Sequence, residues 1–369
     1  MRDLAAHLSE RALGVDASGI RKVFDLAAKL KDPINLSIGL PDFDVPDEAK
    51  EVAIQAIHDG HNRYTPTQGI APLRGRLASD HGCDVDNVLV TSGVSGGLFL
   101  SILATVNPGD EVVFLDPYFV MYRHLVTMAG GKSVPVDSYP DFRFDAAKVE
   151  AAITPRTKLL ILNSPSNPTG VTMTEAEVRA AAELAKKHDL LVVSDEIYVP
   201  FLYGEATTVP SIADLWPKTI LLRGFSKTYG MTGWRLGYAI APREVAEQMI
   251  KLQQYTFVCA PSPFQHAALA ALDIPVDDHI TAYRRKRDIV MEELGDTFEI
   301  ERPDGAFYAF PKVPRGETAM QFAERMIEKN VLVIPGSVFS SKDTHFRLSF
   351  GLPDDRLVEG CKRLRDAAS

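Results

Sequence analysis

Short apolar runs rich in β-branched residues alternate, over the first two thirds of the chain, with longer stretches whose apolar positions recur at helical spacing. Residues 87–91 (NVLVT), 111–115 (EVVFL), 132–136, 158–162 (KLLIL), 190–194 (LLVVS), 219–222 and 237–240 read as strands. Helical patterns occupy gaps between them at 95–106, 118–128 and 174–187, the last opened by a Thr-x-x-Glu start. Strands that are apolar throughout, without alternation, are buried on both faces. The alternation therefore predicts an α/β fold: a mostly parallel sheet of a seven-stranded type, covered by helices on both sides.

The two ends break this rhythm. Residues 18–31 read as a helix leading into Pro33. Beyond residue 270 the pattern becomes a helix at 277–294, a strand near 306–310, a helix at 319–328, strands at 331–334 and 345–350, and a last helix from Asp354. This predicts a large domain over 41–270 and a smaller α+β domain over 271–369, with residues 1–40 packing against the smaller one.

Composition narrows the classes. The 369 residues are 46% apolar and 24% charged, an ordinary globular balance, and the length exceeds what one core usually supports. A net charge of −9 with no basic run argues against a nucleic-acid surface. Cys83, Cys259 and Cys361 lie far apart, which fits a reducing cytoplasm. Residues 1–4 (MRDL) lack the apolar core of a signal peptide, and no run approaches the ~20 apolar residues of a membrane helix. His58 and His61 read as a solvated helix end, and no metal site is expected.

In open α/β sheets, ligands bind beyond the carboxyl ends of the strands. The residues that follow each strand are therefore the candidates. After the first comes 91–97 (TSGVSGG), small residues that open a helix and suit a phosphate; a plain glycine-rich turn explains them as well. After the second, 116–119 (DPYF) offers aromatic rings to a planar ligand, or to the core. After 158–162, the segment 163–170 (NSPSNPTG) is a rigid turn that holds Asn167 at the sheet edge. After 190–194 come Asp195 and Tyr198. An acid at the end of a buried strand needs a partner, such as a protonated ring nitrogen, unless it merely caps a helix. After 219–222, the stretch 223–238 carries Lys227 and Arg235. Arg235 brings a planar donor fork suited to phosphate, and Lys227 becomes a nucleophile if burial and nearby cations deprotonate it. Taken singly, Lys227 reads as a solvated surface lysine. Taken together, the segments meet the polar demands of one cofactor, with an imine-forming lysine at its centre.

NSPSNPTG, SDEIY and SKTYGMTGWRLGY resemble the class I/II aminotransferases, pyridoxal 5'-phosphate enzymes of fold type I, and the resemblance runs from Ser18-Gly19-Ile20-Arg21 to the last helix. It implies that Lys227 binds the cofactor and shuttles the proton, and that Asp195 pairs with the ring nitrogen. Asn167 and Tyr198 would bond the ring 3-oxygen, and Phe119, with Tyr118 beside it, would stack on the ring. Val94, Ser95, Ser226 and Arg235 would hold the phosphate. Arg347, in FRLSF, would clamp the substrate α-carboxylate together with Gly39, in GLPDF, and Asn167. Tyr64, in RYTPTQG, would reach the phosphate of a neighbouring subunit, which makes a homodimer the expected assembly. The sequence departs from the family pattern at Gly224, where a phosphate-binding Ser or Thr is common, at Val94-Ser95, and at Leu40, which hints at a less polar side-chain pocket. The expected activity is amino transfer between an L-amino acid of the aspartate, alanine or aromatic type and a 2-oxo acid. A carbon–sulfur β-lyase and a non-catalytic ligand-sensing module are the alternatives on the same fold.

Overall fold

The computed structural model describes residues 7–16, 19, 30–204 and 209–368. The expected helix at 18–31 falls almost wholly outside these residues. The large sheet contains β2 (Val88–Ser92), β3 (Glu111–Asp116), β4 (Lys132–Asp137), β5 (Thr157–Asn163), β6 (Leu191–Asp195), β7 (Thr219–Gly224) and β8 (Leu236–Ile240). β1 (Ile34–Asn35) precedes them in the chain. The spatial order in the seven-stranded sheet is β2-β8-β7-β6-β5-β3-β4. All neighbours are parallel except β8, which runs against both β2 and β7. The central strands are buried on both faces, as their uninterrupted apolar sequences require: Leu159 and Leu160 of β5, Val192 and Val193 of β6, and Ile220 and Leu222 of β7 are fully buried.

Helices cover the sheet. Glu175–Lys187 begins with a reciprocal cap: Thr174 accepts from the Glu177 amide at 3.2 Å, and the Glu177 carboxylate accepts from the Thr174 amide at 2.7 Å. Helices at Asp47–His58, Ala71–Asp80, Arg243–Gln254 and Ser262–Ala271 had no clear signature in the sequence. They start after or at prolines without a side-chain cap, and Asp47–His58 buries only Ala49, Ala53 and Ala56, a stripe too weakly apolar to mark a period.

The remaining strands are short. β9 (Tyr308–Ala309), β11 (Ile334–Pro335) and β12 (Phe346–Ser349) form a three-stranded antiparallel sheet in the order β11-β12-β9. β10 (Val331–Leu332) pairs in parallel with β1, so the segment before residue 40 joins the C-terminal part of the chain. The single strand read at 331–334 is thus two strands that change partners at Val333. The strand read at 306–310 shrinks to two residues because Ala306 takes a positive φ of 54°, outside the extended region. Among the described residues, no helix is long and apolar enough to cross a membrane.

Candidate active site

The carboxyl ends of β2, β5, β6 and β7 and the amino end of β8 lie along one edge of the large sheet. A cavity of about 250 Å³ opens there, against β9 and β12. Gly39, Val94, Ser95, Phe119, Asn167, Asp195, Tyr198, Ser226, Lys227, Arg235 and Arg347 all line it. Tyr64 does not: it is 84% exposed on the surface of the chain. Tyr118 is buried behind the cavity against Phe114.

Asp195, the last residue of β6, is 3% exposed. Tyr122 donates its hydroxyl to Oδ2 at 2.8 Å, while Oδ1 receives only a long 3.4 Å contact from the Ile197 amide. Burial pushes this carboxyl up to about 6, against the pull of the Tyr122 and Ile197 hydrogen bonds. The next residue, Glu196, accepts from Arg223 of β7 at 2.7 Å and from Ser194 at 2.9 Å. This buried ion pair bridges the two strand ends that carry Asp195 and, four residues beyond Arg223, Lys227.

Lys227 stands on the short helix Phe225–Thr228 that follows β7. Its ammonium donates to the Gly39 carbonyl at 2.7 Å. Burial, and then the positive charges of Arg347 and Arg235, lower its pKa to about 8, so about a tenth is the free amine at a pH of about 7 and half at a pH of about 8.

Arg235, just before β8, has a φ of 55° and donates to the Thr232 carbonyl at 3.0 Å. Its guanidinium lies over the turn that starts the helix Gly93–Thr105, where a Cβ on Gly93 would stand 2.6 Å from Nη2. Only glycine allows that approach, and the φ of 68° at Gly93 also favours it. The first amides of this helix have no side-chain cap and face the cavity beside the guanidinium, an arrangement suited to an anion. At Gly224 an added Cβ would meet Gly237 Cα and Val94 Cγ2, each at 3.1 Å. Close packing of β7 on β8 thus accounts for the missing hydroxyl residue there.

Arg347 of β12 is 2% exposed. The ring centroids of Tyr308 and Phe339 each lie 4.7 Å from its guanidinium carbon. Nη1 donates to Asn167 Oδ1 at 3.0 Å and Nη2 to the Ser37 carbonyl at 2.6 Å. Nε is buried without a partner among the described residues, a donor that gains when an acceptor arrives. Because Arg347 occupies the Asn167 oxygen, the N–H pair of that amide is left to the cavity. Tyr198 shares a 2.9 Å hydrogen bond with the hydroxyl of Tyr308. Tyr308 also explains Gly39, where a Cβ would fall 2.0 Å from the tyrosine oxygen.

Sequence reading missed Tyr122, Tyr308 and Phe339. Tyr122 lies one helical turn after Tyr118, which was the only available signal. Tyr308 falls in the strand read at 306–310, and Phe339 lies between the strands read at 331–334 and 345–350.

A buried amine, a buried acid and two arginines around one cavity at the carboxyl edge of a parallel sheet define an α/β enzyme for small anionic ligands. The chain belongs to the family aminotransferase class I and II, whose profile matches residues 31–364, and it is a transaminase. It is 39% identical to a probable aspartate aminotransferase of Methanocaldococcus jannaschii over 92% of this chain and 93% of that protein. It is 36% identical to aromatic-amino-acid aminotransferase 2 of Thermococcus litoralis, over 97% of each. The solved structure of the Thermus thermophilus aspartate aminotransferase with maleate superposes with a TM-score of 0.94 at 36% identity, covering 98% of this chain and 99% of that one.

Proposed function

We propose that the chain carries pyridoxal 5'-phosphate on Lys227 and moves an amino group between an L-amino acid with an aromatic or apolar side chain and a 2-oxo acid. The observation that carries this reading is a buried amine and a buried, cation-free carboxylate facing the same cavity from adjacent strands. The residues present fit that cofactor. Oδ1 of Asp195 lacks a strong donor, which a protonated ring nitrogen supplies. The free N–H pair of Asn167 and the hydroxyl of Tyr198 suit the ring oxygen, and Phe119 suits the ring face. Arg235, Ser95, Ser226 and the amides after Gly93 suit the phosphate.

Bound, the cofactor supplies an electrophilic carbon for the substrate amine and a protonated ring that absorbs charge. Asp195 keeps the ring nitrogen protonated. Arg347, through its unpartnered Nε, would bind the α-carboxylate and turn the α-hydrogen toward Lys227. Lys227, as the buried amine facing the cavity, would take the proton from the substrate α-carbon and hold it for redelivery.

The side-chain preference rests on two features. Among the described residues lining the cavity, the cations are Lys227, Arg235 and Arg347, all engaged in the roles above, and Leu40, exposed next to the cavity-lining Gly39, is apolar. The printed names of the relatives span aspartate and aromatic substrates, so the amino-acid class is the part to test first. The same reading takes 41–270 as the cofactor-binding domain and 271–369, with 1–40, as the smaller one. It places Tyr64 in the site of a second copy, making a homodimer, and the three free cysteines fit the cytoplasm.

The deciding experiment adds single amino acids to the PLP-loaded protein and follows its visible absorption. A substrate bleaches the band and a 2-oxo acid restores it, with phenylalanine or tyrosine outpacing aspartate by about tenfold or more in kcat/KM. Aspartate outpacing both overturns the side-chain preference. Steady release of pyruvate and ammonia without an acceptor overturns amino transfer as the main reaction in favour of β-lyase chemistry.

A second expectation follows from Lys227. Only the unprotonated amine attacks, so the rate at which the apoprotein captures PLP should climb about tenfold per pH unit and level off above pH of about 8. Stopped-flow absorbance across that range measures it.

A further inference from the structure

Lys286 lies outside the cavity, on the helix Asp277–Leu294, and is 4% exposed. Its ammonium makes three contacts: Asp42 Oδ2 at 2.9 Å, Asp354 Oδ1 at 2.9 Å and the Leu352 carbonyl at 2.6 Å. Tyr283, one turn earlier, reinforces the first, donating to Asp42 Oδ1 at 2.7 Å and accepting from the Asp42 amide at 2.9 Å. A lysine so buried persists only with its charge matched, and here one ammonium is gathered by two carboxylates from distant parts of the chain.

What these contacts hold is the segment 36–43. The Leu36 carbonyl accepts from the Ser349 amide at 2.7 Å. The Ser37 carbonyl accepts from Arg347 at 2.6 Å, and the Gly39 carbonyl accepts from Lys227 at 2.7 Å. Leu40 lies so close to Gly351 that a Cβ there would stand 2.3 Å from its carbonyl oxygen. The two cations that face the substrate therefore take their direction from carbonyls of one short segment. One end of that segment is fastened to β12, which carries Arg347. The other end is fastened through Asp42 to Lys286. Lys286 in turn grips residues 352 and 354, just after β12. Segment and strand are thereby held at a fixed distance from each other.

We infer that Lys286 is a positioning residue for substrate binding: by tying Asp42 to the chain after β12, it sets the spacing between the 37–39 carbonyls and Arg347, and so governs affinity for the α-carboxylate rather than retention of the cofactor. This rests on the reading of Arg347 given under the proposed function. Of the residues assigned to the ring and phosphate, Asp195, Ser226 and Arg235 stand on the large sheet and its following turns, and only Lys227 touches the clamped segment, through the Gly39 carbonyl.

The test compares the PLP-loaded wild type with Lys286→Met and Lys286→Arg. Single-turnover bleaching by an amino acid gives a dissociation constant and a rate constant, and absorbance after dialysis gives cofactor retention. Lys286→Met should raise the dissociation constant about tenfold or more, leave the rate constant within about threefold and retain the cofactor. Lys286→Arg should recover most of the affinity, since a guanidinium also serves two carboxylates. Unchanged affinity in Lys286→Met, or a loss confined to the cofactor, overturns the proposal. Should Lys286→Met fail to accumulate, Asp42→Asn removes the segment's half of the clamp while Lys286 keeps Asp354, and it should weaken affinity in the same sense; unchanged affinity there also overturns it. Amide hydrogen exchange separates this proposal from the functional reading. Faster exchange over 36–43 in Lys286→Met supports the clamp even if no amino acid bleaches the wild type, and unaltered exchange there sinks it.

Discussion

Replacing Lys227 by alanine is expected to lower the single-turnover rate with any amino acid by at least about 10³-fold, while the folded protein still binds PLP non-covalently. Two separate losses combine. The covalent attachment goes, and so does the base that moves the α-proton. Among the described residues that line the cavity, no second lysine and no histidine stands ready to replace it. The fold should tolerate the change, since among the described residues the hydrogen bond surrendered is the one to the Gly39 carbonyl. Two measurements check this: the absorption band of the lysine–cofactor bond is absent, and added methylamine, small enough for the space vacated, recovers part of the rate. Turnover within about tenfold of wild type would remove Lys227 from the mechanism.

Asp195→Asn should change stability and activity in opposite directions. The carboxyl of Asp195 is raised to about 6 in the folded chain by burial. A raised carboxyl destabilises the folded apoprotein once it ionises. The penalty is absent below the unfolded value near 4, grows between the two values and is complete above about 6. At pH 8 it is on the order of 3 kcal/mol, and asparagine abolishes it while its side-chain oxygen still accepts the Tyr122 hydroxyl. The apo variant should therefore melt several degrees higher than the apo wild type at about pH 8, with the gap closing as pH falls toward about 4. The loaded variant should turn over about 10²–10³-fold more slowly, because a neutral amide does not hold a proton on the ring nitrogen. Calorimetry of the apo forms and single-turnover kinetics of the loaded forms read the two effects separately. A variant less stable at pH 8 would show that Asp195 is ionised in the folded chain at no cost.

The strands of the large sheet and the residues at their carboxyl ends were legible because two strong signals coincided. Each strand is apolar through its whole length, and each of 163–170, 194–198 and 226–238 follows such a run with turn chemistry or charge that a core does not need. Arg347 became legible through the family resemblance, since nothing near 346–350 marks it locally. Less of the C-terminal third was readable. Its strands are two to four residues long, and their partners are set by contacts far away in sequence, as where Val331 pairs with Ile34 while Ile334 pairs with Arg347. The supports of the site were hidden for a related reason. Tyr122, Tyr308 and Lys286 act by reaching a group 73, 110 and 244 positions away, for which Asp195, Tyr198 and Asp42 are the respective partners. Local pattern carries no trace of such pairings.

The reversed direction of β8 has a consequence for how this site is inherited. In a parallel crossover the chain leaves the carboxyl edge at once and returns to it only after a helix and another strand. Between β7 and β8 it never leaves: Gly224 pairs with Gly237, so both ends of the connection stand on the same edge. Ser226, Lys227, Thr232 and Arg235 therefore reach the cavity from one unbroken stretch of eleven residues, 225–235. Lys227 and Arg235 thus form one genetic cassette. Recombination among related chains exchanges them together, and a codon inserted or deleted between them changes their spacing without touching either strand.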